Sequence, residues 1–232
     1  YHLIYNYSLI NYVIMKYIQV ENLLTPTYLS RLFDQVKGMN GFPWYFLSDD
    51  VSYSTNGFMF GDTKLLDMPE DEKAIGFTHV LLDQEGVESP WLSHWLPVLD
   101  SVQDALPCPV QFLRVRLALQ LNNGKMHHNA PHTDSEKDHY AALFYLHDCT
   151  GDTVFFDQYD DPNSGLNIDE RWYKGRTQSY TERLRVKPEA NKLFVFDGHQ
   201  YHASSNPNGE HKFRVALNLN FLSDDDIFAA KV

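Results

Sequence analysis

The chain has 232 residues and a formal net charge of −12. A chain of this length buries roughly 70–75% of its unfolded surface and needs no disulfide staple, and 43% hydrophobic with 22% charged residues excludes disordered, collagen-like and disulfide-scaffold classes. The negative field repels phosphate backbones and anionic lipid, so neither nucleic acid nor a membrane is expected as a partner.

Residues 1–14 are apolar and aromatic and carry no Asp, Glu, Lys or Arg. They lack the cationic start and small-residue cleavage site of a signal peptide, and they are too short and too polar to span a bilayer. Two readings are open: reading-frame material upstream of a natural start at Met15, or an added edge strand. Thr25-Pro26 followed by Leu29, Leu32, Phe33, Val36 and Gly38 predicts a helix with an N-cap, a first-turn Pro, one apolar stripe and a terminating Gly. The stretch after Gly41-Phe42-Pro43-Trp44-Tyr45-Phe46 reads as polar and turn-rich. A second helical stretch opens at Ser89-Pro90, and Pro97 kinks or restarts it before Val98–Leu106. Cys108 and Cys149 are too few for a secreted framework and are expected to be reduced and buried, in a cytoplasmic protein.

From residue 109 the period changes. Leu113, Val115, Leu117, Leu119 and Leu121 alternate with Arg114, Arg116, Ala118, Gln120 and Asn122, which predicts a long strand with one apolar and one polar face. Further strands are expected at 140–147, 152–157, 182–187, 193–197 and 212–222, the last alternating again. The 14% aromatic content agrees with a strand-rich chain. Many short strands separated by turns suggest a sandwich or barrel, and the polar faces of the two long strands suggest a wet interior. The stretch 158–181 is expected to be a long loop, functional or disordered.

The chemistry gathers around His132-Thr133-Asp134. Eleven His and 31 acidic residues give roughly 1.5 such triplets by chance, so the motif alone decides nothing. Its position between two strands matters more. In an extended segment residues i and i+2 point the same way, so His132 and Asp134 are able to grip one ion from one side. His199, His202 and His211 are the candidates for a third ligand. Two His and one carboxylate on one face leave open positions, as in non-haem Fe(II) oxygenases. Arg214, on the polar face of the last strand, offers a planar fork for a carboxylate.

In this order and spacing, His132-Thr133-Asp134, Tyr145-Leu146-His147-Asp148, Gly151-Asp152-Thr153, Leu193–Asp197, His202 and Arg214 resemble the 2-oxoglutarate/Fe(II)-dependent dioxygenases, especially the prolyl-4-hydroxylase-like branch. The resemblance covers residues 109–222. It implies a mainly β chain with supporting α-helices, folded as a cupin-like double-stranded β-helix (jelly roll). It implies one domain: residues 15–108 form a helical support and 109–222 the jelly-roll core. His132, Asp134 and His202 would hold Fe(II). Arg214 would pair with the distal carboxylate of 2-oxoglutarate, helped by Tyr145. Ascorbate would be an accessory reductant, and O2 the co-reactant. The implied reaction is hydroxylation of a substrate C–H, in a protein or peptide or in a small molecule, with succinate formed. A non-enzymatic metal-binding jelly-roll module is the reading from another class.

The chain departs from the family pattern in two places. Leu121-Asn122-Asn123-Gly124 stands where Tyr-x-x-Gly is usual, so Asn122 becomes the candidate cosubstrate contact, and Ala216 replaces a Ser two residues after Arg214. His127, His128, His139 and His147 read as solvent-exposed or substrate-side. Trp44 and Tyr45 read as core packing, with a substrate groove as the alternative. Arg114 and Arg116 either enter the pocket or pair with acids, and Asp224-Asp225-Asp226 reads as a solvated end.

Overall fold

The computed structural model describes residues 3–7, 15–39, 41–47, 76–84, 86, 88–124, 128–135 and 137–229. The stretch 48–75 and His127 lie outside the described residues.

An eight-stranded antiparallel sheet dominates. Its strands are β1 (Leu3–Tyr7), β2 (Lys16–Glu21), β3 (Tyr45–Leu47), β4 (Gly76–Leu82), β5 (Gln111–Leu121), β6 (Tyr140–Tyr145), β9 (Lys192–Asp197) and β11 (Phe213–Leu222), in the order β1-β2-β9-β6-β11-β5-β4-β3. A smaller antiparallel sheet has the order β10-β7-β8, from β7 (Thr153–Tyr159), β8 (Glu182–Val186) and β10 (Gln200–Ser204). Single bridges from His128 to Ser205 and from His132 to His202 lay the 128–132 segment along the free edge of β10. The two sheets face each other as a jelly roll, and the expected fold class is the observed one. Within the described residues, Leu3–Tyr7 forms the edge strand of the large sheet, paired with β2.

Period-two alternation divides the large sheet cleanly. The outward set (Ile18 and Val20 of β2, Val115 and Leu117 of β5, Phe144 of β6, Val195 of β9, Leu217 and Leu219 of β11) packs under the helices with Leu32, Trp95, Val98 and Val102. The inward set (Leu143, Tyr145, Phe194, Phe196 and Ala216) meets Phe155 and Val186 of the small sheet. A third cluster, of Val154, Phe156, Tyr201 and Ala203, covers the outer face of the small sheet.

The helices follow their sequence signals. Helix α1 (Pro26–Asp34) starts at Thr25, whose side chain accepts from the Tyr28 N–H, and passes into a π-helical turn at Gln35–Met39. A 3-10 turn at Leu92–His94 precedes α2 (Leu96–Ala105), with Pro97 in its first turn, where a missing N–H costs nothing. Among the described residues no helix is long and apolar enough to cross a membrane. Cys108 and Cys149 are free; Cys149 is buried and Cys108 half-buried.

Two expectations are corrected. The segment 158–181 is not a plain loop: it carries α3 (Ile168–Thr177), closed at its start by a reciprocal capping box between Asn167 and Glu170. Its polar composition hid the helix from a reading by apolar periodicity. The region 15–108 is not only a helical support, since β2, β3 and β4 belong to the large sheet.

Candidate metal centre

His132 and His202 face each other across the small-sheet edge. The His132 N–H donates to the His202 carbonyl at 2.9 Å, and the His202 N–H returns a bond to the His132 carbonyl at 3.0 Å. Their ring centroids are 4.6 Å apart. Each Nδ1–H donates to a carbonyl two residues back, Ala130 for His132 and Gln200 for His202, both at 3.1 Å. That fixes the tautomer and leaves each Nε2 lone pair free. Both Nε2 atoms point at Asp134, 3.9 Å from His132 to Oδ1 and 4.0 Å from His202 to Oδ2. One ligand atom from each of the three residues lies within 4.8 Å of the others.

Asp134 is held from the large sheet. Asn220 donates to its Oδ2 at 2.9 Å, and Arg114 lies 3.4 Å from its Oδ1. Arg114 Nε donates in turn to Asn220 Oδ1 at 2.9 Å, so the two side chains brace one carboxylate. Burial raises the Asp134 pKa, but His202 and Arg114 outweigh it and hold the carboxyl far below the usual range. Burial and the neighbouring His202 push His132 down to about 4. At neutral pH His132 is therefore a neutral imidazole and Asp134 a carboxylate. These donors fit a divalent transition ion: both Nε2 atoms face the Asp134 carboxylate while each Nδ1 is engaged by a backbone carbonyl, and among the described residues no fourth protein ligand closes the group.

A small, partly open cleft runs from this group between the sheets. At one end lies Arg214, 3% exposed. It donates to Gln120 Oε1 at 3.0 Å and Thr153 Oγ1 at 2.8 Å, and stacks 5.5 Å from the Tyr145 ring centroid. The Tyr145 and Thr153 hydroxyls share a 2.8 Å hydrogen bond. Burial raises the Tyr145 pKa, so the phenol stays protonated. Arg214 Nε is buried with no hydrogen-bond partner. A buried guanidinium bonded only to neutral groups fits an anion that completes it.

Sequence reasoning had named the triad, Arg214 and Tyr145, and the structure brings these together. Asn122 is a correction. Its side chain is exposed, donates to the Gly209 and His211 carbonyls and accepts from the Gly124 N–H, so it ties a loop outside the cleft. Gln120, one inward position earlier on β5, stands beside Arg214 instead. The alternation of β5 already placed Gln120 on the polar face, and Asn220 and Arg114 were equally visible as inward polar positions. Thr153 belonged to a motif whose turn, not whose hydroxyl, had drawn the reading.

Of the histidines expected on the solvent or substrate side, His139 is buried, His128 and His147 are half-buried, and His127 lies outside the described residues. His139 is buried against Gly198, where a Cβ would stand 2.3 Å from its Nε2. His147 stacks on Phe33 of α1 at 4.7 Å and accepts from the Val215 N–H. His128 packs on Phe156. His199 bonds Asp138 at 3.0 Å, and neither it nor His211 joins the triad. Trp44 is half-buried and donates to the Val36 carbonyl, whereas Tyr45 is exposed. Asp224, Asp225 and Asp226 are exposed, with Asp226 paired to Lys16.

No protein-family model matches the sequence, and no curated protein matches it. Solved structures do. The non-haem α-ketoglutarate-dependent epimerase SnoN from nogalamycin biosynthesis superposes with a TM-score of 0.56 at 12% identity, covering 89% of this chain and 78% of that one. The fold is that of the 2-oxoglutarate/Fe(II) oxygenases. A 2OG-Fe(II) oxygenase family oxidoreductase from Burkholderia pseudomallei gives 0.54 at 11% identity, covering 88% and 84%. The prolyl hydroxylase from Trichoplax adhaerens, in complex with a hypoxia inducible factor oxygen degradation domain peptide, gives 0.52 at 12%, covering 89% and 83%.

Proposed function

We propose that the chain is an Fe(II)- and 2-oxoglutarate-dependent dioxygenase that hydroxylates an unactivated C–H, of an amino-acid side chain in a protein or peptide. The observation that carries the reading is the pairing of an open three-ligand group with a buried, incompletely bonded guanidinium at the far end of one cleft. His132, Asp134 and His202 would hold the iron, and Arg214 with Tyr145 would hold the distal carboxylate of 2-oxoglutarate. When bound, Fe(II) and 2-oxoglutarate supply the oxidising power, with O2 consumed and succinate and CO2 released.

The residues of the chain do the rest. The backbone ladder between His132 and His202 fixes both imidazoles before any ion arrives. Asn220 and Arg114 keep the Asp134 carboxylate turned toward them. Ala118 and Ala216 are opposite each other on β5 and β11, between the Arg214 rung and the Arg116 rung, and their small side chains leave room for a ligand. Tyr145 and Thr153 present hydroxyls beside Arg214, and the apolar wall of Leu143, Phe155 and Phe196, the last two packed on the His202 ring, keeps bulk water from the triad end.

The likeness to SnoN favours a second reading, the same chemistry on a small metabolite or free amino acid. A metal-binding structural module is disfavoured by Arg214, which such a module leaves without purpose. The experiment is anaerobic titration with Fe(II) and 2-oxoglutarate, followed by O2. A weak visible charge-transfer band and succinate formation are expected, and their absence from folded protein removes the reading.

A further inference from the structure

Arg116 is 5% exposed and lines the same cleft as His132 and Asn218. Its Nε is buried without a hydrogen-bond partner, and among the described residues no carboxylate lies within ion-pair distance of it. Its nearest charged neighbour on the same strand face is another cation, Arg114. Burial and Arg114 lower its pKa to about 9, against the opposing pull of the Asp134 carboxylate beyond ion-pair distance. Isolated buried cations of this kind are rare, because burial without a partner is costly.

The proposed reaction does not supply the missing partner. 2-Oxoglutarate has two carboxylates. Arg214 takes the distal one, and the metal, with its charge otherwise offset only by Asp134, takes the other. Arg114 is engaged by Asp134 and Asn220. Arg116 remains, cationic and unpaired, on the rung of the cleft next to the one that braces Asp134. We infer that Arg116 is a substrate-recognition residue that binds a carboxylate on the substrate, close to the carbon that reacts. This rests on the proposed dioxygenase reading and narrows its substrate class to acids. The carboxylate belongs either to an Asp or Glu side chain of a peptide or to a small carboxylic acid. A local cluster of three arginines, Arg114, Arg116 and Arg214, admits such an anion despite the net charge of −12.

The test uses the protein loaded with Mn(II) and saturating 2-oxoglutarate, which binds without turning over, and follows thermal shift and calorimetric titration. Acetate and propionate are the probes, with acetamide as the uncharged control. Acetate is expected to raise the melting temperature and acetamide to leave it unchanged. Arg116→Met should weaken acetate at least tenfold, keep the 2-oxoglutarate affinity within about twofold, and itself melt higher than wild type without ligand. Arg116→Lys keeps the charge and should recover part of the acetate response, which guards against a folding defect in the Met variant. An acetate response that survives in Arg116→Met, or one absent from wild type, overturns the inference. So does a tenfold loss of 2-oxoglutarate affinity in that variant, which would give Arg116 to the cosubstrate. Wild-type protein that binds neither Mn(II) nor 2-oxoglutarate sinks the dioxygenase reading instead. With Fe(II) and O2, oxygen-adduct masses on acidic peptides or on free carboxylic acids separate the two sources, and products found on neutral compounds alone overturn the inference.

Discussion

Asn220 shows how much of a metal site lies behind its ligands. Its amide reaches Asp134 and is itself fixed by Arg114. Replacing it with Leu frees the carboxylate to rotate, and metal affinity is expected to fall about 10–100-fold, measurable by Mn(II) or Co(II) titration. Thr153→Val removes the hydroxyl that both Arg214 and Tyr145 use. The expected loss is about 1–3 kcal/mol in denaturant unfolding, because two buried polar groups lose a partner. His132 gives a pH dependence with a definite sign. Its pKa is about 4 in the folded chain against 6.5 in the unfolded one. Between those values the unfolded chain binds the extra proton, so the metal-free protein loses stability as pH falls from 6.5 toward 4. Of that acid loss, roughly 3 kcal/mol belongs to this group. The stability profile of His132→Asn should be flatter over that window, and an identical slope in the two proteins would refute the assignment.

At the scale of elements, α3 is tied down in part through one ion pair. Its Arg171 forms a two-pronged pair with Asp160, with Nε donating to Oδ1 at 2.9 Å, and His199 approaches the same carboxylate. Asp160→Asn removes the carboxylate charge that faces this nearly buried guanidinium. About 3 kcal/mol is expected to go, and amide exchange should rise across 161–178 while the large sheet stays protected. The capping box at Asn167 is the local signal that would have revealed α3, since Asn followed three residues later by Glu marks a helix start. It went unread because the helix lacks an apolar stripe, and periodicity was the guide. The strands of the jelly roll were legible for the opposite reason. Leu113 to Leu121 and Phe213 to Phe221 must alternate, because one face of the large sheet meets helices and the other meets a polar cleft. The triad was legible from order and spacing. Asn122 misled because β5 ends one residue before it, and past the end of a strand alternation no longer says which way a side chain points.

Among the described residues the two sheets are tied by the Arg214–Thr153–Tyr145 group, the Gln120–Ser204 bond at 2.6 Å, the Tyr159–Asp197 bond at 2.9 Å and the packing of Phe155 on Phe194 and Phe196. Ligands that bind between them should therefore stabilise the fold as a unit. Mn(II) at a hundred times its dissociation constant adds about 2.7 kcal/mol, or a rise of roughly 5–10 °C in melting temperature for a chain of this size. His132→Ala should abolish that rise. Strand pairs such as β2 with β9 join residues about 175 positions apart, and so large a loop closure predicts slow, multiphase refolding.

The reciprocal backbone bonds between His132 and His202 carry one more consequence. Because the polypeptide sets the chelating face in advance, that face does not distinguish one divalent ion from another by adapting to it. Nitrogen and oxygen donors then follow the general order of complex strength, in which nickel, copper and zinc all outrank ferrous iron. Which element sits there is decided by supply, so protein recovered over a nickel resin should arrive already poisoned, and a chelator followed by anaerobic ferrous salt is the treatment that restores it.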